Sequence, residues 1–339
     1  MPQLCVIPGD GIGLEVVPAA TAVLQAAIPH LEIIGAEAGW TCFQKHGVSV
    51  PDTTLATIRA CGAALFGAVS SPSHKVAGYR SAILTLRQEL DLYANIRPVK
   101  SWPHVSPRPG IDMIIMRENT EGLYSGRERV EMGEGAQIDR VVTAVAERVI
   151  TRRASLRIGR RALEIMETLN RQKLTIVHKA NVLPLTDGLF RDCVREIFTD
   201  AAQSSAGVTV DELLVDVAAL KMVAEPEHFD VIVTTNLFGD ILSDAAAYWG
   251  GGLGLAPSLN WGEACAVAEP VHGSAPDIAG QGIANPMAAI LSAALLARSV
   301  WHLPEAAEAM ETAVTRVLTH QPHLRGTMAL ATAVIAALP

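Results

Sequence analysis

The chain has 339 residues, 50% of them hydrophobic, so it can bury one large core or two ordinary ones. Its net charge of −8 argues against nucleic acid as the main partner. No apolar run approaches the roughly eighteen residues that a membrane span needs, and the first residues do not resemble a secretory signal. Five scattered cysteines without a CxxC pair, and ten histidines without a cluster at metal-ligand spacing, indicate free thiols in a reducing compartment. We therefore expect a cytoplasmic protein that contacts neither membrane nor nucleic acid.

Short apolar runs alternate with helical patterns along the chain. The runs predict buried strands, and the apolar residues that recur at helical spacing after them predict amphipathic helices. This alternation is typical of α/β layers. In chain order we expect strands at 4–7, 33–39, 63–69, 112–116, 174–177, 213–215, 231–233 and 267–271, and helices at 15–27, 52–61, 82–92, 152–169, 186–199, 239–249, 287–299 and 304–318, followed by one last helix.

The loop after the first strand, PGDGIG at 8–13, looks superficially like a dinucleotide fingerprint. The GxGxxG pattern is not met, and no acidic residue follows a second strand at the expected distance. A Rossmann site is therefore not predicted. The glycines instead indicate that a ligand or a neighbouring strand approaches the backbone closely.

Two stretches in the first half of the chain have a local structural meaning. Ser81 stands where the N-cap of the helix at 82–92 should be, and 95–98 is extended because the residue before proline avoids the α region. The polar, glycine-rich stretch 125–137 indicates a protruding arm or an inter-subunit element.

Asp240 and Asp244 are four residues apart on the predicted helix at 239–249, so they share one face. Neither has a lysine or arginine at i+3 or i+4 on that face, and like charges at this spacing repel by roughly a few tenths of a kcal/mol. Mg²⁺ or Mn²⁺ would turn that cost into a gain. The spacing alone is more often a solvated acidic face.

Other polar residues stand just past the carboxyl ends of predicted strands, where ligands bind in α/β sheets: Arg117, Lys179, Asp216 and 236–244. Arg87, Arg97 and Arg117 together suggest a small ligand with at least two carboxylates, although each alone is more often an ordinary salt-bridged arginine. The loop HGSAPDIAGQGIANP at 272–286 could cradle a nucleotide, with Asp277 accepting hydrogen bonds from a ribose; the alternative is a surface Ω-loop.

Six motifs in order make the chain resemble the β-decarboxylating dehydrogenases, the family of isocitrate, 3-isopropylmalate and homoisocitrate dehydrogenases. They are IPGDGIG at 7–13, LRQELDLYANIRPVK at 86–100, RENTEGLY at 117–124, HKANVL at 178–183, NLFGDILSD at 236–244 and EPVHGSAPDIAGQGIANP at 269–286. The resemblance implies a two-domain α/β fold of the isopropylmalate dehydrogenase type, non-Rossmann, with a large mixed sheet flanked by helices.

The resemblance also implies how the chain is divided and assembled. Residues 1–99 plus 252–339 would form a large cofactor-binding domain, and residues 100–251 a smaller substrate and dimerisation domain with a protruding arm near 125–140. The protein would be a homodimer, or a tetramer, in which the partner subunit completes each active site.

The same resemblance implies residue roles. Lys179, donated by the partner subunit, would be the base at the substrate's 2-hydroxyl, and Tyr124 would reprotonate the carbon left after CO₂ departs. Asp240 and Asp244 would hold Mg²⁺ or Mn²⁺, with Asp216 donated from the other subunit. Substrate binding is implied for Ser81, Arg87, Arg97, Arg117 and Asn181, and NAD binding for Ser70, Glu269, His272, Gly273, Ser274, Ala275, Pro276, Asp277, Ile278 and Asn285.

Cofactor and substrate choice depend on few positions. The acidic–apolar pair Asp277–Ile278 resembles the NAD-using members, because Asp277 would repel a 2′-phosphate. A cation at Arg80 and a hydroxyl at Ser81 suit a tricarboxylate. The sequences of the motifs look most similar to those of homoisocitrate dehydrogenase. Leu84, where some homoisocitrate enzymes carry an arginine, and Val217, where relatives usually have Asn or Ser, are departures.

We therefore expect NAD-dependent oxidative decarboxylation of homoisocitrate or isocitrate, a malate-type small molecule. The alternative is 3-isopropylmalate dehydrogenase. A non-catalytic regulatory subunit is a more remote alternative, which the presence of Tyr124, Lys179 and the three aspartates opposes.

Overall fold

A computed structural model describes residues 1–74, 76–132, 141–202 and 207–339. The chain forms two compact units. We call Met1–Ile114 together with Ser243–Pro339 the discontinuous unit, and Ile115–Leu242 the continuous unit. In the described chain, no helix combines the length and the apolar character that a membrane crossing requires.

The helices and strands alternate along most of the chain. The first half contains β1 (Gln3–Gly9), α1 (Gly13–Ala27), β2 (Glu32–Gly35), α2 (Trp40–His46), α3 (Asp52–Cys61), β3 (Ala63–Ala68), α4 (Ala82–Glu89), β4 (Ala94–Lys100), β5 (Asp112–Glu118), β6 (Glu128–Met132), β7 (Val141–Ala146) and α5 (Arg152–Thr168). The second half contains β8 (Lys173–His178), α6 (Thr186–Ala202), β9 (Thr209–Leu214), α7 (Val215–Ala224), β10 (Val231–Thr234), α8 (Asn236–Ala247), β11 (Pro257–Trp261), β12 (Ala266–Pro270), α9 (Met287–Ser299), α10 (Pro304–His320) and α11 (Thr327–Ala337).

The discontinuous unit is built on strands in the order β2-β1-β3-β12-β11-β4. β1 is parallel to β2 and β3, and β12 is parallel to β3, whereas β11 is antiparallel to both of its neighbours. Helix α9 is buried from Met287 to Ala297, because it packs against β11, β12, α1 and α10 at once. The predicted α/β class, with a large mixed sheet flanked by helices, is confirmed.

The continuous unit contains most of β5 and the strands β10, β8 and β9, in that order. β10, β8 and β9 run parallel, so their carboxyl ends meet at one edge. Helices α5 and α6 pack against each other in this unit. A separate antiparallel pair, β6 and β7, flanks residues 133–140. That part of the expected arm lies outside the described residues.

Five elements were not predicted: α2, α7, β6, β7 and β11. The strand expected at 33–39 ends at Gly35, and α2 follows because the Asp10 carboxylate accepts hydrogen bonds from the backbone N–H groups of Trp40 (2.7 Å) and Thr41 (2.9 Å). A cap that comes from thirty residues away leaves no local sequence signal. The strand expected at 213–215 ends at Leu214, and Asp216 lies in the first turn of α7, where the helix dipole favours a carboxylate.

Candidate active site

The glycine loop between β1 and α1 lies against the predicted nucleotide loop. Gly11 has φ +55°, and a Cβ on it would overlap the carbonyl oxygen of Ser274. The Ile12 N–H donates to that same carbonyl at 2.9 Å. The expected approach of a neighbouring strand is confirmed at Gly9, where a Cβ would overlap the Ala68 carbonyl oxygen of β3, whereas Gly11 meets a loop. Asp10 also accepts the backbone N–H of Ser70 at 3.0 Å, so one carboxylate ties this predicted cofactor residue to the glycine loop.

Within the predicted nucleotide loop, His272 carries a buried acceptor atom. Its Nδ1–H donates to the Gly273 carbonyl at 3.0 Å, which leaves Nε2 as an acceptor. Nε2 has no hydrogen-bond partner within the described part of the chain, and burial lowers the pKa of His272. Asp277 is exposed, and the Asn285 side chain accepts the Met287 N–H at 3.0 Å at the start of α9. The loop therefore presents an orphaned acceptor of the kind that a nucleotide hydroxyl or amino group would satisfy.

Two buried arginines in the discontinuous unit belong to one polar chain. Arg87 donates to Glu269 and to Asn260, both at 3.0 Å. Asn95 donates to Asn260 at 2.8 Å and accepts from Arg97 at 2.7 Å. These amide and carboxylate partners fix the orientation of both guanidinium groups, as a ligand-binding or a purely structural network would require.

Arg97 also pairs with the carboxyl-terminal part of α8. Its Nη1 donates to the Ser243 hydroxyl at 2.6 Å and to the Asp244 carboxylate at 3.2 Å. Asp244 thus has a cationic partner, although its own helix offers none. The helix itself supplies no cation at i+3 or i+4, as expected, and the arginine comes from β4, 147 residues away in the chain.

The continuous unit contains the most tightly held group of predicted site residues. Arg117 is 1% exposed and donates to the Asn236 side chain through Nε (3.1 Å) and Nη2 (2.8 Å). Its Nη1 pairs with Asp240, and its guanidinium lies 5.2 Å from the ring centroid of Tyr124. The Tyr124 hydroxyl donates to the other oxygen of Asp240. Asp240 therefore also has a cationic partner, and this partner comes from β5 rather than from its own helix.

This group, the Arg117 cluster, is defined by Arg117, Tyr124, Asn236 and Asp240. Burial, reinforced by the Asp240 carboxylate, raises the pKa of Tyr124, so this phenol keeps its proton at neutral pH. Gly239 is required for the packing, because a Cβ there would lie 2.6 Å from Arg117 Cγ. The cluster holds a protonated phenol in a defined position, which suits a proton donor.

Lys179 and Asp216 form a second, more exposed group. They contact each other as an ion pair, and the lysine lowers the pKa of Asp216. Their side chains are 24% and 61% exposed, respectively. Asn181 lies in the exposed turn that follows Lys179. The predicted base and the predicted third metal ligand are thus neighbours in this chain.

Sequence reasoning missed two residues, Asp187 and Arg148, that fix the backbone at Lys179. Asp187 is fully buried and accepts the Lys179 backbone N–H at 2.6 Å. Arg148 donates to the other Asp187 oxygen at 2.6 Å and to the Thr235 hydroxyl at 2.9 Å. Neither Asp187 nor Arg148 stands in an informative pattern, since Asp187 lies in the first turn of α6 and Arg148 in the segment between β7 and α5. Only the fold could identify them.

The expected placement beyond strand ends is mostly confirmed. Lys179 directly follows β8, and Asp216 and Asn236 are each the second residue after the end of β9 and β10. Because these three strands are parallel, the residues start from one edge. Arg117 differs, since it lies inside β5 rather than beyond it.

The predicted metal ligands have the donor chemistry of a hard cation. Asp240, Asp244 and Asp216 are 33%, 56% and 61% exposed at their side chains, so all three carboxylates can be reached from solvent. Mg²⁺ and Mn²⁺ prefer such oxygen ligands. A cation would compete with Arg117, Arg97 and Lys179 for these oxygens. The residues therefore fit a divalent ion that displaces existing ion pairs.

Known proteins resemble this chain in sequence and in fold. Residues 3–334 match the family model described as isocitrate/isopropylmalate dehydrogenase. An isocitrate/homoisocitrate dehydrogenase of Thermus thermophilus is 54% identical, over 94% of this chain and 92% of its own length. A homoisocitrate dehydrogenase of Methanocaldococcus jannaschii is 48% identical, over 87% of this chain and 84% of its own. The crystal structure of an isocitrate dehydrogenase from Methylococcus capsulatus superimposes with a TM-score of 0.91 at 39% identity, covering 99% of both chains.

Proposed function

Because the chain belongs to the isocitrate/isopropylmalate dehydrogenase family of β-decarboxylating dehydrogenases, we propose that it converts homoisocitrate or isocitrate to the 2-oxo acid and CO₂ with NAD⁺. The observation that supports the proposal is the Arg117 cluster. In it the buried Arg117 guanidinium and the protonated Tyr124 hydroxyl both contact the Asp240 carboxylate. An arginine is suited to binding a substrate carboxylate, and a protonated phenol is suited to donating the proton that the substrate carbon receives in the last step.

The proposed mechanism assigns each proton to a side chain. Lys179 of the partner subunit accepts the 2-hydroxyl proton, and Tyr124 gives its proton to the carbon left after CO₂ departs. Arg87, Arg97 and Arg117 orient the carboxylates. Asp240, Asp244 and Asp216 of the partner subunit would hold Mg²⁺ or Mn²⁺. The bound metal ion would supply stabilisation of negative charge on the substrate oxygens, and NAD⁺ held by the loop at 272–285 would supply the hydride acceptor.

The choice of NAD is supported by two features of the loop at 272–285. Exposed Asp277 offers a carboxylate to a ribose diol and would repel a 2′-phosphate. The orphaned Nε2 of His272 offers a buried acceptor. We assign cofactor binding to the discontinuous unit, with Ser70 and Glu269 beside the residues of this loop. We expect NAD⁺ to exceed NADP⁺ in kcat/KM, and the reverse would contradict the assignment of Asp277.

The choice of a tricarboxylate rests on the start of α4. Arg80 is exposed, and Ser81 occupies the N-cap position without making a side-chain capping hydrogen bond. A guanidinium and a hydroxyl would suit a distal carboxylate. Ile83 and Leu84 are apolar neighbours on the same helix, and they keep 3-isopropylmalate as the second candidate. A silent regulatory subunit remains the remote alternative, opposed by Tyr124 and Lys179.

The substrate assignment can be tested by measuring kcat/KM for homoisocitrate, isocitrate and 3-isopropylmalate with NAD⁺ and Mn²⁺. We expect one of the two tricarboxylates to exceed 3-isopropylmalate by about tenfold or more, since a site that pairs a charged group discriminates strongly. A tenfold preference for 3-isopropylmalate would refute the tricarboxylate proposal and leave the family assignment intact.

We also propose a homodimer, supported by exposed apolar side chains in the continuous unit. Leu220 and Val223 of α7 are each 68% exposed, and Ile241 of α8 is 59% exposed. A second copy that covers these helices would also bring Lys179 and Asp216 to a neighbouring site. Leu220→Glu should therefore lower both the mass measured by light scattering and the activity, whereas Val48→Glu, an exposed apolar site of the discontinuous unit, should change neither.

The proposed location is the cytoplasm. All five cysteines are free thiols, and burial raises the pKa of Cys5 to about 12 and also raises that of Cys265. Such thiols are compatible with a reducing compartment.

A further inference from the structure

A group of three possible metal ligands, none of which has been assigned a role above, lies in the discontinuous unit. The ligand atoms of Glu37, Cys42 and His46 all lie within 4.8 Å of one another. Glu37 Oε2 is 3.3 Å from His46 Nε2. Cys42 and His46 are four residues apart on α2, so they share one face of this helix. The i, i+4 spacing of Cys42 and His46 places them on one face only if this segment is helical, and α2 was not predicted from the sequence. The histidine pattern alone therefore predicted no metal site.

We propose that Glu37, Cys42 and His46 bind a thiophilic divalent cation, with Zn²⁺ as the natural occupant. Thiolate, imidazole and carboxylate are the three ligand types that zinc accepts, and they differ from the all-oxygen set proposed for the active site. Three protein ligands leave one coordination position to water. The ligand atoms lie within 4.8 Å of one another, which is wider than in a closed tetrahedral site, so the exposed side chains must rotate towards the cation to close it.

The ligands differ in how much they can move. Cys42 is 3% exposed and anchored, whereas the side chains of Glu37 and His46 are 59% and 51% exposed and can rotate towards it. A surface cleft of about 370 Å³ is lined by Glu37 and His46, and a smaller one of about 190 Å³ is lined by Glu37 and Cys42. A cation can therefore reach all three ligands from solvent.

The backbone that carries the site is held firmly. Asp10 caps α2, and the ring of Trp40 packs against Phe43 (5.6 Å between centroids) and edge-on against Tyr79 (5.1 Å). This preorganisation lowers the cost of closing the site, because only side chains have to be ordered.

One cation already competes for the site. Lys45 Nζ is 3.4 Å from Glu37 Oε1, and hydrogen bonds from His46 and then Lys45 lower the pKa of Glu37. The carboxylate is therefore charged and available through the oxygen that faces His46. The thiolate is the form of cysteine that binds a metal, so filling the site releases the Cys42 proton.

The test uses Co²⁺ as a spectroscopic probe on the metal-free full chain, with Mg²⁺ in excess to occupy the proposed aspartate site. We expect a thiolate-to-cobalt charge-transfer band at one equivalent, abolished by Zn²⁺, because only a cysteine ligand produces this band. Cys42→Ser and Cys42→Ala should both lose the band, and His46→Gln should weaken Zn²⁺ binding by about tenfold or more.

Three controls separate this site from general thiol or surface binding. Cys61→Ser and His323→Gln should keep the band, since neither residue belongs to the group. Lys45→Ala should keep the band and bind Zn²⁺ at least as tightly, because it removes the competing cation. Absence of the band in the wild-type chain, or an unchanged band in both Cys42 variants, would overturn the proposal. No readout depends on activity, so failure of the proposed dehydrogenase function would leave the result intact.

Discussion

The Arg117 cluster and the Lys179–Asp216 pair contain the proposed acid and base, yet the chain holds them in opposite ways. Arg117 is 1% exposed and contacts an asparagine, a carboxylate and an aromatic ring, whereas Asp216 is 61% exposed and pairs with one lysine. An exposed ion pair contributes about 0–1 kcal/mol, while breaking a buried one costs about 3–5 kcal/mol. The first group is thus rigid within one chain, and the second needs further contacts, such as those of a partner subunit, to become equally rigid.

The largest effect should come from removing the acid or the base. Tyr124→Phe and Lys179→Ala should each lower kcat by about 10²–10⁴-fold, the usual contribution of general acid–base catalysis. If two subunits share each site, a refolded mixture of the two variants should recover about a quarter of wild-type activity, because half the dimers are mixed and carry one intact site of two. A mixture as inactive as its components would contradict the shared site.

Truncating the buried arginine tests the rigid group. Arg117→Ala should lower the free energy of unfolding by about 2–5 kcal/mol in urea denaturation, because it empties a buried site and leaves the Asn236 side-chain oxygen without its donors. Arg152→Ala, which breaks a pair with Glu196 that is about half exposed, should cost less than about 1 kcal/mol. Equal losses of unfolding free energy in the two variants would show that burial of the arginine does not determine the cost of removing it.

A buried carboxylate beside the cluster gives a pH test. Burial raises the pKa of Glu121 to about 7, and its carbonyl accepts from Asn236 at 3.2 Å. Because the folded-state pKa lies above the unfolded value, the charged form penalises folding. The penalty is absent below about pH 4, grows as the pH rises, and reaches on the order of 3 kcal/mol above about pH 7.

Glu121→Gln should therefore flatten the fall in unfolding free energy between about pH 5 and 7.5. Glu225→Gln is the control, because Lys221 lowers the pKa of Glu225, which titrates below this window. An unchanged slope in Glu121→Gln would contradict the assignment.

The smallest effect should come from a single methyl group. Gly239→Ala places Cβ 2.6 Å from Arg117 Cγ, and overpacking of this kind typically costs about 1–3 kcal/mol. A Cβ added at Gly188 of α6 would meet no heavy atom beyond its own helix backbone within 4 Å in the described chain, so Gly188→Ala should be neutral or stabilising by up to about 1 kcal/mol. Equal melting temperatures for the two variants would show that the Arg117 side chain yields easily.

Much of the fold follows from local patterns, whereas the ion pairs do not. The helices at 52–61 and 287–299 have the predicted bounds, because apolar spacing and flanking turn residues act within the segment. Helix α2 was missed because its cap, Asp10, belongs to another loop. The arginine partners of Asp240 and Asp244 were missed because β5 and β4 supply them from more than a hundred residues away. Residue roles came from the resemblance and stay proposals.

The discontinuous unit is completed late in synthesis, because its two segments are separated in the chain by the continuous unit. Strand β3 pairs with β1 soon after both are made, but its other neighbour, β12, begins only at Ala266. During the intervening translation one edge of β3 has no strand to pair with, and such edges promote association between chains. Meanwhile the continuous unit is complete once Leu242 has left the ribosome. We expect the middle of this chain to fold before its beginning does, and arrested nascent chains that end near residue 250 to depend most strongly on chaperones.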